Sequence, residues 1–265
     1  MINPAHSVNA LSNEKALAYL DRQFKDRGGN SANKDRKNLA AAFKWGQTFK
    51  GMAAINPFLI VPRYPEKRTP RYITNEVDFW KVYNLAEREG QVMLLAFLHL
   101  AGRKSEILRL HRSDVNFEKR EIRLWTRKRE GGSMEGDWLP MTGTLFELLF
   151  EHFKSHNNEW VFPNPETGLP YTDRKKWLLG LCSKAGVRPF GFHSIRHLTP
   201  SIMVEAGVSG KAIQGVLRHK KFSTTERYLH QLTDLRLAFK VLENKSPSPG
   251  PSNPKTENKR LTVVN

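Results

Sequence analysis

The run at residues 92–100, Val92-Met93-Leu94-Leu95-Ala96-Phe97-Leu98-His99-Leu100, is the longest apolar stretch of this chain. It is too short to span a bilayer. It reads instead as a buried helix, broken by Gly102. The rest of the sequence has to supply the cover for it, and 265 residues suffice for one large or two modest domains. Residues 1–13 are polar and lack the apolar core of a signal peptide, which fits a cytoplasmic setting. Cys182 is the single cysteine, so an internal disulfide and a multi-cysteine zinc site are excluded. Its neighbours Trp177-Leu178-Leu179-Gly180-Leu181 mark it as core packing.

Ser12 and Gly28 read as the N-cap and C-terminal stop of a first helix carrying Leu17, Leu20 and Phe24 at helical spacing. A second helix is expected over 31–50, with Leu39, Ala42, Phe43 and Phe49 toward the core. Lys34, Lys37 and Lys44 fall on another face, as a solvated surface or a stripe for DNA phosphates. These elements form an α-helical domain over 1–55. Prolines at 57, 62, 65 and 70, with Arg63, Lys67 and Arg68 between them, read as an extended basic linker over 56–73. A larger domain then covers 74–244, opening on a helix near Thr74 with Glu76 and Asp78 in its first turn. Residues 121–126 alternate as a strand, Gly131 and Gly132 mark a wide turn, and Trp138-Leu139-Pro140-Met141 returns. The fold class is therefore mainly α with a small antiparallel β-sheet. Residues 245–265, rich in Ser, Pro, Asn and Lys, read as a disordered tail.

Chemistry concentrates late in the chain. His193, Arg196, His219 and Tyr228 follow one another on expected short helices, downstream of Arg103 in Ala101-Gly102-Arg103-Lys104-Ser105-Glu106. Arginines can neutralise a phosphate, a histidine can handle a proton, and a phenol can act as nucleophile. Each residue alone is weak, since a tyrosine or histidine on a helix is more often structural; the ordered set carries the weight. Forty-three Lys and Arg against 26 Asp and Glu give a net charge of +17, which favours a polyanionic partner.

The phrases Ala101-Gly102-Arg103-Lys104-Ser105-Glu106-Ile107-Leu108, His193-Ser194-Ile195-Arg196-His197, Leu217-Arg218-His219 and Ser223-Thr224-Thr225-Glu226-Arg227-Tyr228 resemble those of the tyrosine recombinases, the phage-integrase family. Val161-Phe162-Pro163-Asn164-Pro165 and Glu205-Ala206-Gly207-Val208 match as well, and the likeness covers residues 13–242. The resemblance implies a tyrosine-recombinase catalytic domain preceded by a core-binding domain that is N-terminally short for the family. It also implies roles. Arg103 and Arg196 would grip the scissile phosphate, and His193 would assist proton removal from Tyr228. His219 would bond the phosphate or orient the nucleophile. Glu106 would support the site from behind. Lys128, in the hairpin, would protonate the leaving oxygen, with Arg127 and Arg129 flanking it. Tyr228 would form a 3′-phosphotyrosyl bond that conserves the phosphodiester energy, so that no cofactor, ATP or metal is needed. Partners would be double-stranded DNA, contacted also by Lys220 and Lys221, and further copies of the chain, as a tetramer at synapsis. The segment 234–242 would dock on a neighbouring copy.

Two departures qualify this. Arg218 stands where the family usually has glycine, and would add a phosphate contact or crowd the turn. Pro200 falls where the helix from His193 should continue, at a cost of about 3 kcal/mol in a helix interior. Either the helix kinks or it starts late, with Thr199 as cap, and both would shift Arg196. Pro200 and the short N-terminus motivate a second reading, a DNA-binding remnant of a mobile element without catalysis. A type IB topoisomerase, sharing the phosphotyrosine chemistry, is the third.

Overall fold

The computed structural model describes residues 11–52, 55–67, 72–127 and 133–232. The chain divides into two units, Met1–Arg71 and Tyr72–Asn265. Lys128, Arg129, Arg68 and the segment 234–242 lie outside the described residues, as do the two hairpin glycines and the tail.

In the first unit, α1 (Asn13–Arg27) starts at Ser12, whose hydroxyl accepts from the Lys15 amide, and stops at Gly28 with φ of 80°. Next comes α2 (Gly29–Lys50), which starts two residues earlier than its sequence suggests, since Gly28 serves as the cap of both helices. The two pack through Ala16, Leu20, Ala40 and Phe43. Leu17, Ala42 and Phe49, expected inside, are exposed instead. The interface is narrow because alanines line it, and the bulky residues at its margin fall outside. The proline-rich stretch is packed along its described part rather than free. Asn56 caps the short α3 (Pro57–Ile60) and donates to the Ala40 carbonyl at 2.9 Å. Phe58 and Val61 are buried, and Tyr64 stacks on Phe24 at 4.9 Å. Lys34, Lys37, Lys44 and Lys67 are exposed. Arg63, also exposed, pairs with Glu66 at 2.9 Å.

The second unit is built around the apolar run that opened the sequence reading. It forms α5 (Arg88–His99), with every residue from Val92 to Leu98 buried. Around it pack α4 (Glu76–Leu85), capped by Asn75, then α7 (Gly143–Lys154) and α9 (Phe192–Glu205). Between α6 (Lys104–Leu108) and α7 the chain makes a three-stranded antiparallel sheet. Its order is β1 (Val115–Asn116), β2 (Glu121–Arg127) and β3 (Met134–Pro140), with Ile122 opposite Leu139 and Leu124 opposite Asp137. Ile122 and Leu124 face the core while Arg123 and Trp125 face outward. The two-residue β1 was not evident in the sequence, being too short for an alternation to show. Helix α8 (Lys175–Lys184) buries Cys182 as expected, and α10 (Gly210–Leu217) and α11 (Phe222–Leu232) complete the unit. No helix of the described residues is long and apolar enough to cross a membrane.

Pro200 does not break α9, which runs through it. The late start with Thr199 as cap is therefore not what the chain adopts. Proline removes the amide that the Arg196 carbonyl would have received. Neighbouring hydroxyls hold the helix in place: Thr199 donates to the Leu98 carbonyl on α5 at 2.6 Å, and Ser201 to the His197 carbonyl at 3.2 Å.

Candidate active site

Arg103, Glu106, His193, Arg196, His219 and Tyr228, spread over 126 positions of sequence, line one open cleft of about 2170 Å³. Lys211, Lys220 and Lys221 line it too. Each group is placed by a particular piece of backbone.

Arg103 follows a tight turn. Ala101 sits in the left-handed region with φ of 44°, unusual for a residue with a side chain. Gly102 lies so close to Ile107 that a Cβ there would overlap it. This turn ends α5 and puts Arg103 at the N-cap of α6. Glu106, three residues on, accepts from the Arg103 amide at 2.8 Å and from its guanidinium at 2.7 Å. The same carboxylate accepts from Thr126 of β2 at 2.7 Å and from Arg218 at 2.6 Å. Burial alone would push the Glu106 carboxyl up, but Arg218, the Arg103 amide and Thr126 outweigh it and hold it down at about 2. Glu106 is thus a buried anion clamped between two arginines that are 115 positions apart in sequence.

Arg218 holds the other end of that clamp. It occupies the left-handed position that ends α10, with φ of 53°, where glycine is ordinarily free of strain. The amides of Arg218 and His219 both turn back to the Gln214 carbonyl. The ion pair with Glu106, its two side chains 5% and 3% exposed, offsets a strain of about 1–2 kcal/mol. Arg218 neither crowds the turn nor hangs in solvent.

Arg196 is 4% exposed. One of its terminal nitrogens donates to the Ala101 carbonyl, the other to the Leu217 carbonyl at 2.7 Å. It therefore pins the turn that carries Arg103 to the turn that carries His219. Burial, then Arg103 and Arg218, lower its pKa to about 10, which still leaves it charged at neutral pH.

His219 pairs through Nδ1 with Thr225 at 3.0 Å, and its carbonyl accepts from Gln214 at 2.9 Å. By residue type Ser223, Thr224 and Thr225 are candidate caps for the helix bearing Tyr228, yet all three lie inside α11, which begins at Phe222. Burial, then Arg196, Arg103 and Arg218, lower the His219 pKa to about 4. A ¹⁵N NMR titration of the free protein is therefore expected to find His219 neutral down to pH 5, with a midpoint near 4. A midpoint at 6 or above would mean that the arginines do not act on it.

Tyr228 is buried among Ala101, Ile213 and Leu217. Its hydroxyl is hydrogen-bonded to Nδ1 of His197. Nε2 of His197 lies 2.8 Å from Nε2 of His193. His197, given no role in the sequence reading, thus stands between the expected pair. Its signal was present: His193 and His197 are four apart on one helix and share a face. Arg127 is the last residue of β2, so the expected position of Lys128 follows directly from a strand whose Trp125 and Thr126 line the cleft. Asp114 fixes that strand by accepting from Arg123 at 3.0 Å and Trp125 at 2.9 Å.

The model of the phage integrase family matches residues 78–234, a stretch holding every residue of this cleft. The chain belongs to the phage integrase family. Among family relatives, y4eF of Sinorhizobium fredii, an integrase/recombinase by name, is 28% identical over 226 residues, covering 81% of this chain and 87% of its own. Its companion y4qK is 27% identical over 172 residues, and there the chain spans 54% of the relative's length. The tyrosine recombinase XerA of Pyrococcus horikoshii is 29% identical over 68% of this chain and 63% of its own. In fold the chain is similar to the Tn1549 transposon integrase in complex with a circular intermediate DNA (TM-score 0.70, 17% identity, 90% of this chain and 87% of that one). It is also similar to a lambda integrase dimer bound to a COC′ core site (TM-score 0.67, 17% identity, 85% and 82%). These likenesses establish the mainly helical catalytic fold with its small sheet.

Proposed function

We propose that this family member is a site-specific DNA recombinase in which Tyr228 cleaves one strand and holds it as a 3′-phosphotyrosyl ester. The observation that carries the reading is the cleft itself: a buried tyrosine hydroxyl paired with imidazole, beside two arginines and a neutral histidine. Two of the five N–H donors of Arg196 are used on backbone carbonyls, which fixes its plane and leaves donors for a non-bridging phosphate oxygen. Arg103, 42% exposed at its side chain, takes the second oxygen. Together they stabilise charge on the non-bridging phosphate oxygens in the transition state. His219, neutral at pH 7, offers a hydrogen bond to the phosphate. Lys128, adjoining β2, remains the proposed acid for the leaving 5′ oxygen.

The exposed lysines of α2 serve as backbone phosphate contacts in a small DNA-clamping unit, with assembly on DNA as in the lambda integrase tetramer on a Holliday junction. Affinity for non-specific duplex should fall steeply with salt as counterions are released. The passive-remnant alternative rested on Pro200 and the short N-terminus; on the first ground, α9 runs through Pro200 and both terminal nitrogens of Arg196 are held by backbone carbonyls, which supports the catalytic reading.

The test is covalent capture. The protein is incubated with nicked duplexes of randomised core sequence, denatured, digested and mapped by mass spectrometry. The expected product is a peptide carrying DNA through Tyr228, absent from Tyr228→Phe. Retention of duplex without any adduct would sink the reading in favour of a passive binder. Relaxation of a single supercoiled plasmid, without strand exchange between duplexes, would favour the topoisomerase.

A further inference from the structure

We infer that His197, and not His193, takes the proton from Tyr228, and that His193 is the second member of a two-imidazole relay. The inference rests on the strand-cleavage reading above and adds to it the route of the proton. Tyr228 reaches Nδ1 of His197, while the nearest atom of His193 in the chain of contacts is the Nε2 that faces Nε2 of His197 at 2.8 Å. No other arrangement of side chains is required, because both histidines lie on α9 one turn apart and the rings meet edge to face at 4.3 Å between centroids.

The relay specifies the tautomers of both rings. In it the phenol donates its O–H, so Nδ1 of His197 accepts and carries no proton. The proton of a neutral His197 is then on Nε2, where it is donated to His193. Nε2 of His193 must accept, which puts the His193 proton on its own Nδ1. Each hydrogen bond thus points from the phenol toward His193, an exposed residue at the cleft wall.

As Tyr228 attacks, its O–H bond breaks and an Nδ1–H bond forms on His197. The Nε2 proton of His197 passes to His193, and the Nδ1 proton of His193 passes to water. The phenolic oxygen bonds to phosphorus as the bond from phosphorus to the 5′ oxygen breaks, and that oxygen takes one proton from Lys128 or water. One proton leaves and one is gained, so the exchange is balanced. Rejoining runs the relay backward and returns a proton to the phenol.

The experiment has two arms. In the first, ¹⁵N shifts of the imidazoles in the free protein, assigned with His197→Gln and His193→Gln, report tautomers without any DNA. Nε2–H on His197 with Nδ1–H on His193 is expected; Nδ1–H on His197 overturns the relay. In the second, Tyr228 adduct formation is timed on the captured duplex, with gel shift and urea unfolding as controls for binding and fold. His197→Gln is expected to be slowed about 100-fold, within the ordinary range for loss of a general base. His193→Gln should be slowed about tenfold, and added imidazole should restore part of the His197→Gln rate. A His197→Gln rate within threefold of the parent overturns the proposal, as does a loss that imidazole does not restore while binding and fold are kept. If the parent forms no Tyr228 adduct at all, the proposal falls together with the recombinase reading, whereas an intact adduct with the wrong tautomers removes the relay alone.

Discussion

Arg196→Ala is expected to reduce adduct formation by about 10³-fold or more and to destabilise the protein by roughly 2–5 kcal/mol. The two losses have separate causes. The catalytic one is removal of a charged donor from the place where phosphate charge develops. The structural one is that the Ala101 and Leu217 carbonyls, which both accept from Arg196, lose that donor at about 1–3 kcal/mol each. Arg196→Lys separates them. Lysine keeps the charge but is a point donor without a planar fork, so it can serve one carbonyl or the phosphate, not all three. It should recover half or more of the stability and little of the rate. Urea unfolding and adduct rates per folded molecule measure the two. An alanine variant as stable as the parent would show that the guanidinium does not join the two turns.

Glu106→Gln is expected to cost roughly 3 kcal/mol at pH 7, and the cost should depend on pH. The Glu106 carboxyl titrates at about 2 in the folded protein against 4.5 for the free group. Above pH 4.5 the carboxylate is ionised in both states and its full contribution is present. Below that, the unfolded chain takes up the proton first, and the advantage shrinks until the folded group also titrates near 2. Urea midpoints of parent and variant should therefore differ by a constant amount from pH 7 to 5 and converge as pH falls from 4.5 toward 2. A difference that is flat across this range would mean the carboxylate is not clamped by charge. Activity should fall as well, by about 10²-fold, because Arg103 loses the partner that fixes its position to within about 1 Å.

Much of this site could be read from local text. Arg103 follows a helix break, and that break is visible as an apolar run ending at Gly102. Caps at Ser12 and Asn75 satisfy amides within three residues of themselves, so they need no tertiary information. The alternation of residues 121–126 tells its own faces apart because side-chain period in a strand is fixed by the backbone. Periodicity was less reliable in α2, where Phe49 has the right spacing for the core but is 66% exposed. Spacing defines a face; whether anything covers the end of that face depends on where the partner helix stops.

The sequence by itself determined the order of the functional groups, their placement on separate short elements, and a charge suited to a polyanion, since all three are properties of neighbours along the chain. Tertiary structure alone decided which imidazole meets the phenol. His193 and His197 share one face of α9, and the choice between them is made by how α11 lies across that face. It alone made Arg218 a buried partner of Glu106 across 112 positions, when by local rules a left-handed helix end favours glycine. It alone tied α9 beside Pro200 to α5, through the Thr199 hydroxyl and the Leu98 carbonyl. In each case the deciding partner is remote in sequence, and no pattern of neighbours encodes a contact whose energy exists only after the chain has folded.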